Sequence, residues 1–244
     1  MPLTPLAALR RRPLLAAAGA AAVLALAGTA VDAAVAAYAE HRTAAAFQAA
    51  TRTAHAPAVT IDGFPATGQV VRGRLDRVDI TAAAIPADPD EGRLPITRLD
   101  LELTGLRQAG DEKAAHSDTA KANAFLSYAD LSDALGVGIT AGDRPGYVDA
   151  RVLLPLVGAG TVTAKVDAGA DNTIVFTDLH VASGGLPDAG MRLLERLFDR
   201  PIPLRNLPQG LHLDSLQTSD TGLSAQLAGH DVTFRTDTPL DVPS

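Results

Sequence analysis

Leu99, Leu101 and Leu103 alternate with Asp100 and Glu102. Side chains of a strand point alternately to its two faces, so this segment reads as a strand with one apolar and one wetted face. The same texture recurs from Ala58 to the end of the chain. Val59 and Ile61 flank Thr60, and Gln69 to Ile80 reads as one long extended stretch. Its apolar phase flips near Asp76-Arg77, which predicts a bulge or bend. Residues 116–128 fit either strand or helix, with the alternation of Ala122, Ala124 and Leu126 favouring strand, and further strands are expected over Tyr147–Leu154, Thr161–Val166 and Thr173–Val181. A last hairpin pairs Leu211–Leu216 with Leu223–Phe234 through Ser219-Asp220-Thr221-Gly222. Two helices interrupt these strands: Ser127–Leu135, closed by Gly136, and Pro187–Phe198, striped by Met191, Leu194 and Phe198. Short turns join the strands, so the pairing is mostly antiparallel and the fold class is α+β.

The first 56 residues have a different composition. The chain holds 47 alanines, 23 of them before Pro57. Arg10, Arg11 and Arg12 precede Pro13 and the uncharged run Leu14–Val31, a positive segment followed by an apolar one. Eighteen helical residues span ~27 Å, close to the ~30 Å of a hydrocarbon core. Residues 1–31 are therefore expected to be a signal anchor, or a signal peptide cleaved near residues 30–34. Either one sends the remainder out of the cytoplasm, because the arginines stay inside. Residues 32–56 read as an Ala-rich helix or stalk, 57–235 as the folded domain, and 236–244 as a tail.

Composition closes several routes. There is no cysteine, so disulfides and thiolate metal sites are absent. The net charge of −7 argues against a nucleic-acid partner. No G-x-S-x-G elbow and no H-E-x-x-H pair occurs, and Ser183 sits in a polar turn without the leading glycine of an elbow. The reading assigns no catalytic residue, no metal site and no cofactor. Arg72 and Arg74 fall on one face of the expected long strand, with Arg77 nearby. They are either a solvated face neutralised by Asp76 and Asp79 or contacts for a lipid headgroup phosphate.

The element Val59, Ile61, Gly63, Phe64, Pro65 is followed by Gly73, Leu75, Val78 and Ile80, then by Tyr128-Ala129-Asp130-Leu131 and by Leu207-Pro208-Gln209-Gly210-Leu211. In this order the segments resemble the LmeA-like phospholipid-binding family of high-GC Gram-positive cell envelopes. Ala66-Thr67 departs from that pattern, where relatives often carry larger apolar residues. The resemblance implies an exported domain similar to tubular lipid-binding modules, with a curved antiparallel sheet around helices and an apolar groove. It also implies a phospholipid ligand, phosphatidylinositol-type among them, the cytoplasmic membrane as partner, and a part in lipoglycan assembly. Such a carrier needs an aliphatic groove and no catalytic group. Candidate lining residues are Phe64, Leu99, Leu101, Leu103, Val152, Leu154, Val162, Ile174, Phe176, Leu194 and Phe198. Two other readings remain: a structural envelope module with a filled core, and a lipid or glycan hydrolase with a polar constellation in a cleft.

Overall fold

The computed structural model describes residues 11–87, 94–108, 114–154, 158–183, 201–204 and 207–235; within these, the side chains of 11–28 and 152–159 are not described. The chain opens with one long helix, α1 (Arg11–Thr51). It continues through β1 (Ala58–Asp62), a short α2 (Ala66–Val71), β2 (Arg74–Ile85), β3 (Ile96–Gln108), β4 (Ala114–Ser127) and α3 (Tyr128–Leu135). Then come β5 (Gly138–Ala141), β6 (Tyr147–Leu154), β7 (Gly158–Gly169), β8 (Thr173–Ser183), β9 (Ile202–Pro203), β10 (Gln209–Thr218) and β11 (Gly222–Arg235).

The strands form two antiparallel sheets. Six strands run in the order β1-β2-β3-β4-β11-β10 and five in the order β5-β6-β7-β8-β9. Both ends of the folded domain thus build the first sheet, and the second is an insertion between β4 and β10. The fold is α+β, and the sheet curls into a half-barrel. α3 links the two sheets. Ser127 caps it by accepting a hydrogen bond from Asp130 N, and Gly136 closes it in the left-handed region at φ 67°. Asn172 adds a second tie, its Oδ1 accepting from Leu213 N at 2.8 Å.

Register explains why one face is apolar. Leu99, Leu101 and Leu103 stand opposite Ala82, Ile80 and Val78 on β2, and opposite Ala124, Ala122 and Ala120 on β4. On the far side of β4 the same alanines meet Ala225, Leu227 and Gly229 of β11. These rows join Val148, Val166 and Ile174 of the second sheet in one apolar cluster. Phe47 and Ala39 of α1 pack against it.

Two expectations fail around residue 70. Gln69 to Val71 is helix rather than strand, and β2 begins only at Arg74. No bulge marks Asp76-Arg77, because β2 pairs with β3 without a register shift there. Leu75 and Leu106 pair at positions in step with polar Arg77 and Thr104, yet both pack against the apolar cluster, and the change of phase falls at Gly105 of β3, whose φ is +66°.

The helix α2 owes its start to a distant residue. Asp32 of α1 accepts from Ala66 N at 2.9 Å, from Thr67 N at 2.7 Å and from Thr67 Oγ1 at 2.7 Å. It thereby caps donors that Pro65, at the local cap position, leaves open. Gln69 holds the other side: its Nε2 donates to Asp62 O at 3.2 Å and its Oε1 accepts from Asp76 N at 2.7 Å. Gly63 makes room for that clamp. Its φ is +107°, and a Cβ there would lie 2.5 Å from Gln69 Nε2.

Candidate functional site

The apolar face of the six-stranded sheet is the first candidate site. Its middle strand is its thinnest part. Ala120, Ala122 and Ala124 succeed one another on β4, flanked by Leu99, Leu101 and Leu103 on one side and Leu227 on the other. All three alanines are buried. The result is a row of methyl groups along β4, with three leucines on one side and Ala225, Leu227 and Gly229 on the other.

Several expected lining residues meet here. Leu101, Leu103 and Ile174 belong to the buried cluster, and Leu99 and Phe176 pack against it. Val162 is buried but stands outside that cluster. Val152 and Leu154 lie on β6, with side chains outside the described ones; Leu194 and Phe198 lie outside the described residues. Phe64 is a correction: it is 77% exposed, beyond the end of β1, and lines no interior. Within the motif around it, Ile61 is buried and Val59 half-buried on β1, while Gly63 and Pro65 form the exposed link into α2.

Arg72 and Arg74 are the second correction. They share no strand face, since Arg72 caps the C-terminus of α2 and Arg74 opens β2. Arg74 is also engaged. Its Nη2 donates to Asp118, whose other oxygen accepts from Arg107. Arg77 has three carboxylates around it, Asp79 at 2.9 Å, Glu102 at 2.8 Å and Asp62 at 3.6 Å. The neutralised-face reading therefore describes Arg74 and Arg77, though the acids involved are largely cross-strand. Among the described residues Arg72 has no carboxylate partner.

The opposite face of the same sheet is polar and concave. A cavity of about 500 Å³ spans five strands, its polar lining from Asp79, Thr81, Asp100, Glu102, Lys121, Asn123, Asp214 and Gln226 interleaved with Ile80, Leu101, Ala122 and Leu227 of the apolar rows. A smaller cavity of about 290 Å³ lies on the second sheet, lined by Thr140, Asp149, Arg151, Thr161 and Ser183. No group of metal-ligating side chains occurs among the described residues.

Three carboxylates are held below the ordinary carboxylate range. For Asp32 the main cause is the Thr67 backbone N–H, helped by the Thr67 hydroxyl and Ala66 N–H. For Asp100 it is the Arg98 guanidinium, and for Asp118 it is Arg107 and then Arg74. A depressed folded value stabilises the fold above the unfolded pKa, about 3.9, and that contribution is lost as pH falls through the folded value. The denaturation midpoint should therefore be level near neutral pH and fall below about pH 4. Asp32→Asn should lower it by several degrees in a melt at pH 7 and shrink the acid loss. An acid loss equal to that of the parent chain would show that this cap does not titrate with folding.

A family model for LmeA-like phospholipid binding matches residues 30–228. The chain belongs to the LmeA-like phospholipid-binding family. The matched span takes in both sheets of the LmeA-like domain and starts inside α1, two residues before Asp32. No curated protein and no solved structure matches the chain. Phospholipid binding asks for acyl-chain contact, which an aliphatic surface can supply. No helix among the described residues is long and apolar enough to cross a membrane. Most of the expected anchor, Leu14–Val31, lies where side chains are not described.

Proposed function

We propose that the protein binds single phospholipid molecules and shuttles them at the outer face of the cytoplasmic membrane, in support of lipoglycan assembly. The observation that carries this reading is the alanine row of β4 within a leucine-rich face, in a chain of a phospholipid-binding family. An acyl chain laid along Ala120, Ala122 and Ala124 would meet Leu99, Leu101 and Leu103 on one side and Leu227 on the other. Each buried methylene contributes ~0.8 kcal/mol, so a fraction of one 16-carbon chain suffices for retention. The apolar, arginine-preceded N-terminus supports an envelope location. Binding and release of an intact lipid need no nucleophile, metal or cofactor.

Native mass spectrometry of full-length protein purified from its own envelope tests this. The expected spectrum shows a protein population heavier by one phospholipid, with phosphatidylinositol-type masses among the adducts. Protein that carries no lipid, and takes none up from phosphatidylinositol vesicles, would overturn the reading.

A further inference from the structure

Four large apolar side chains crowd one end of the domain, and none of them is covered. Phe64 is 77% exposed, Val71 82%, Val31 59% and Val70 42%. They come from three separate segments: α1, the link after β1, and α2. Tertiary contacts hold the three together. Asp32, next to Val31, caps the start of α2, and Gln69 of α2 ties the end of β1 to the start of β2. Ala66 and Gln69 are the buried side of α2, which leaves Val70 and Val71 on the open side. The patch is thus fixed by hydrogen bonds from behind and bare in front. Clustered exposure of this kind marks an interaction surface, unlike single surface leucines.

The chain itself indicates what covers the patch. α1 is one continuous helix from Arg11 to Thr51, and Val31 is the last residue of the uncharged run Leu14–Val31. Eighteen residues of apolar helix, ~27 Å long, therefore lead directly into this end of the domain. Such a stretch belongs in or on a bilayer. A charge of the right kind is also present. A Cβ built on Gly68 would lie 3.3 Å from Arg72 Nη1 and 3.4 Å from Pro65 Cγ, so the guanidinium lies across the open side of α2. A guanidinium amid exposed apolar side chains suits the phosphate level of a membrane, where apolar parts sink and cations meet phosphates. Asp62 and Asp76 are exposed close by, so the patch is not strongly basic and apolar insertion must dominate over attraction to anionic lipid.

We propose that this end of the domain, Val31, Phe64, Val70 and Val71 with Arg72, seats in the headgroup layer of a phospholipid bilayer. The docking places β1 and the start of β2 at the membrane and points α3 away from it. Arg74, at the start of β2, pairs with Arg107, and Ile85 pairs with Ile96 at its far end, so the sheet extends about 35 Å between them. α3 follows β4 at that far end, because Phe125 pairs with Arg98. This inference concerns where the molecule meets a lipid surface and stands apart from whether it holds a lipid inside.

The chain has no tryptophan, so one introduced indole reports on one position. Full-length Phe64→Trp, Val71→Trp and Leu135→Trp variants would be bound to phosphatidylcholine vesicles, with and without brominated acyl chains. Leu135 is 49% exposed at the end of α3 and serves as the distal reporter. The expected result is a blue shift and bromine quenching at positions 64 and 71, with neither at 135. Vesicle-bound protein whose indoles at 64 and 71 keep water-like emission would overturn the proposal. So would equal quenching at 135, or a blue shift without vesicles that grows with protein concentration, which would make a second copy the occupant. Adduct masses on the same protein score internal lipid binding separately, so either result can fail alone.

Discussion

Ala122→Phe is expected to abolish most phospholipid retention, while Ala228→Phe on the neighbouring strand retains it. Ala122 lies at the centre of the apolar row, between Leu101 and Leu227. Ala228 pairs with Lys121, so by strand parity its side chain faces the polar side of the sheet. A phenyl ring at 122 occupies the space of three or four methylenes of an acyl chain, a loss of ~3 kcal/mol at ~0.8 per methylene. That is on the order of 100-fold in Kd. Overpacking a sheet face costs ~1–3 kcal/mol of fold stability, so the variant should still fold, with a lower melting temperature. Adduct intensity in native mass spectra, and the rate of labelled phospholipid transfer between vesicles, would read the effect. Equal retention by Ala122→Phe and the parent chain would place the lipid elsewhere. Loss with Ala228→Phe alone would move the site to the polar cavity.

The sites differ in how far they can be read from sequence, and the reason is the range of the interactions that define them. Leu99–Leu103 and the hairpin β10–β11 follow from alternation because each strand side chain meets the core or water according to parity alone. α3 is legible because both its caps, Ser127 and Gly136, are local. α2 is not. Its residues, ATGQVV, include a glycine and two β-branched valines, poor helix formers, and its cap is Asp32, 34 residues earlier. Reading that segment as strand misplaced Arg72 and Arg74. The two then came out as neighbours on one face, although one ends a helix and the other is locked to Asp118. β5, four residues long, carries too little alternation to stand out.

Alanine shows the same limit from the other side. In the first 56 residues it signals helix, and α1 follows. In β4 the same residue forms a buried row, whose place beside Leu101, Leu103 and Leu227 only the register reveals. The membrane-facing end is a further case. Phe64 reads as interior on hydrophobicity alone, yet it follows a glycine at φ +107° that turns the chain outward. Nothing in a period-two pattern encodes that turn. The proposed function thus divides the domain into a buried aliphatic face for an acyl chain and an open aliphatic end from which the chain's own apolar helix departs.

Val78→Asp should destabilise the fold more than the other substitutions proposed, and its pH dependence identifies the cause. Val78 is fully buried on β2, paired with Ile61 of β1 and Leu103 of β3. A carboxyl there has no partner, and full burial raises such a group by up to 3–5 pKa units. The cost accrues over the ~3 pH units between the unfolded value of about 3.9 and pH 7, so at ~1.4 kcal/mol per unit the penalty at pH 7 is ~4 kcal/mol, comparable with the whole stability of a marginal domain. The sign is opposite to that of Asp32, Asp100 and Asp118. Their depressed values add stability as pH rises through 4, whereas a raised value leaves the acid form unaffected below about 3.9 and costs progressively more above it. The difference in unfolding free energy between Val78→Asp and the parent chain should therefore widen steadily from pH 4 upward. Val78→Asn buries a polar group without a titration, so its difference from the parent should stay level over the same range. A penalty for Val78→Asp that is equally level would mean the side chain reaches water by moving β2. The apolar face would then be loose enough at β2 and β3 to open there, which would make that pair of strands, rather than the alanine row, the place where an acyl chain enters.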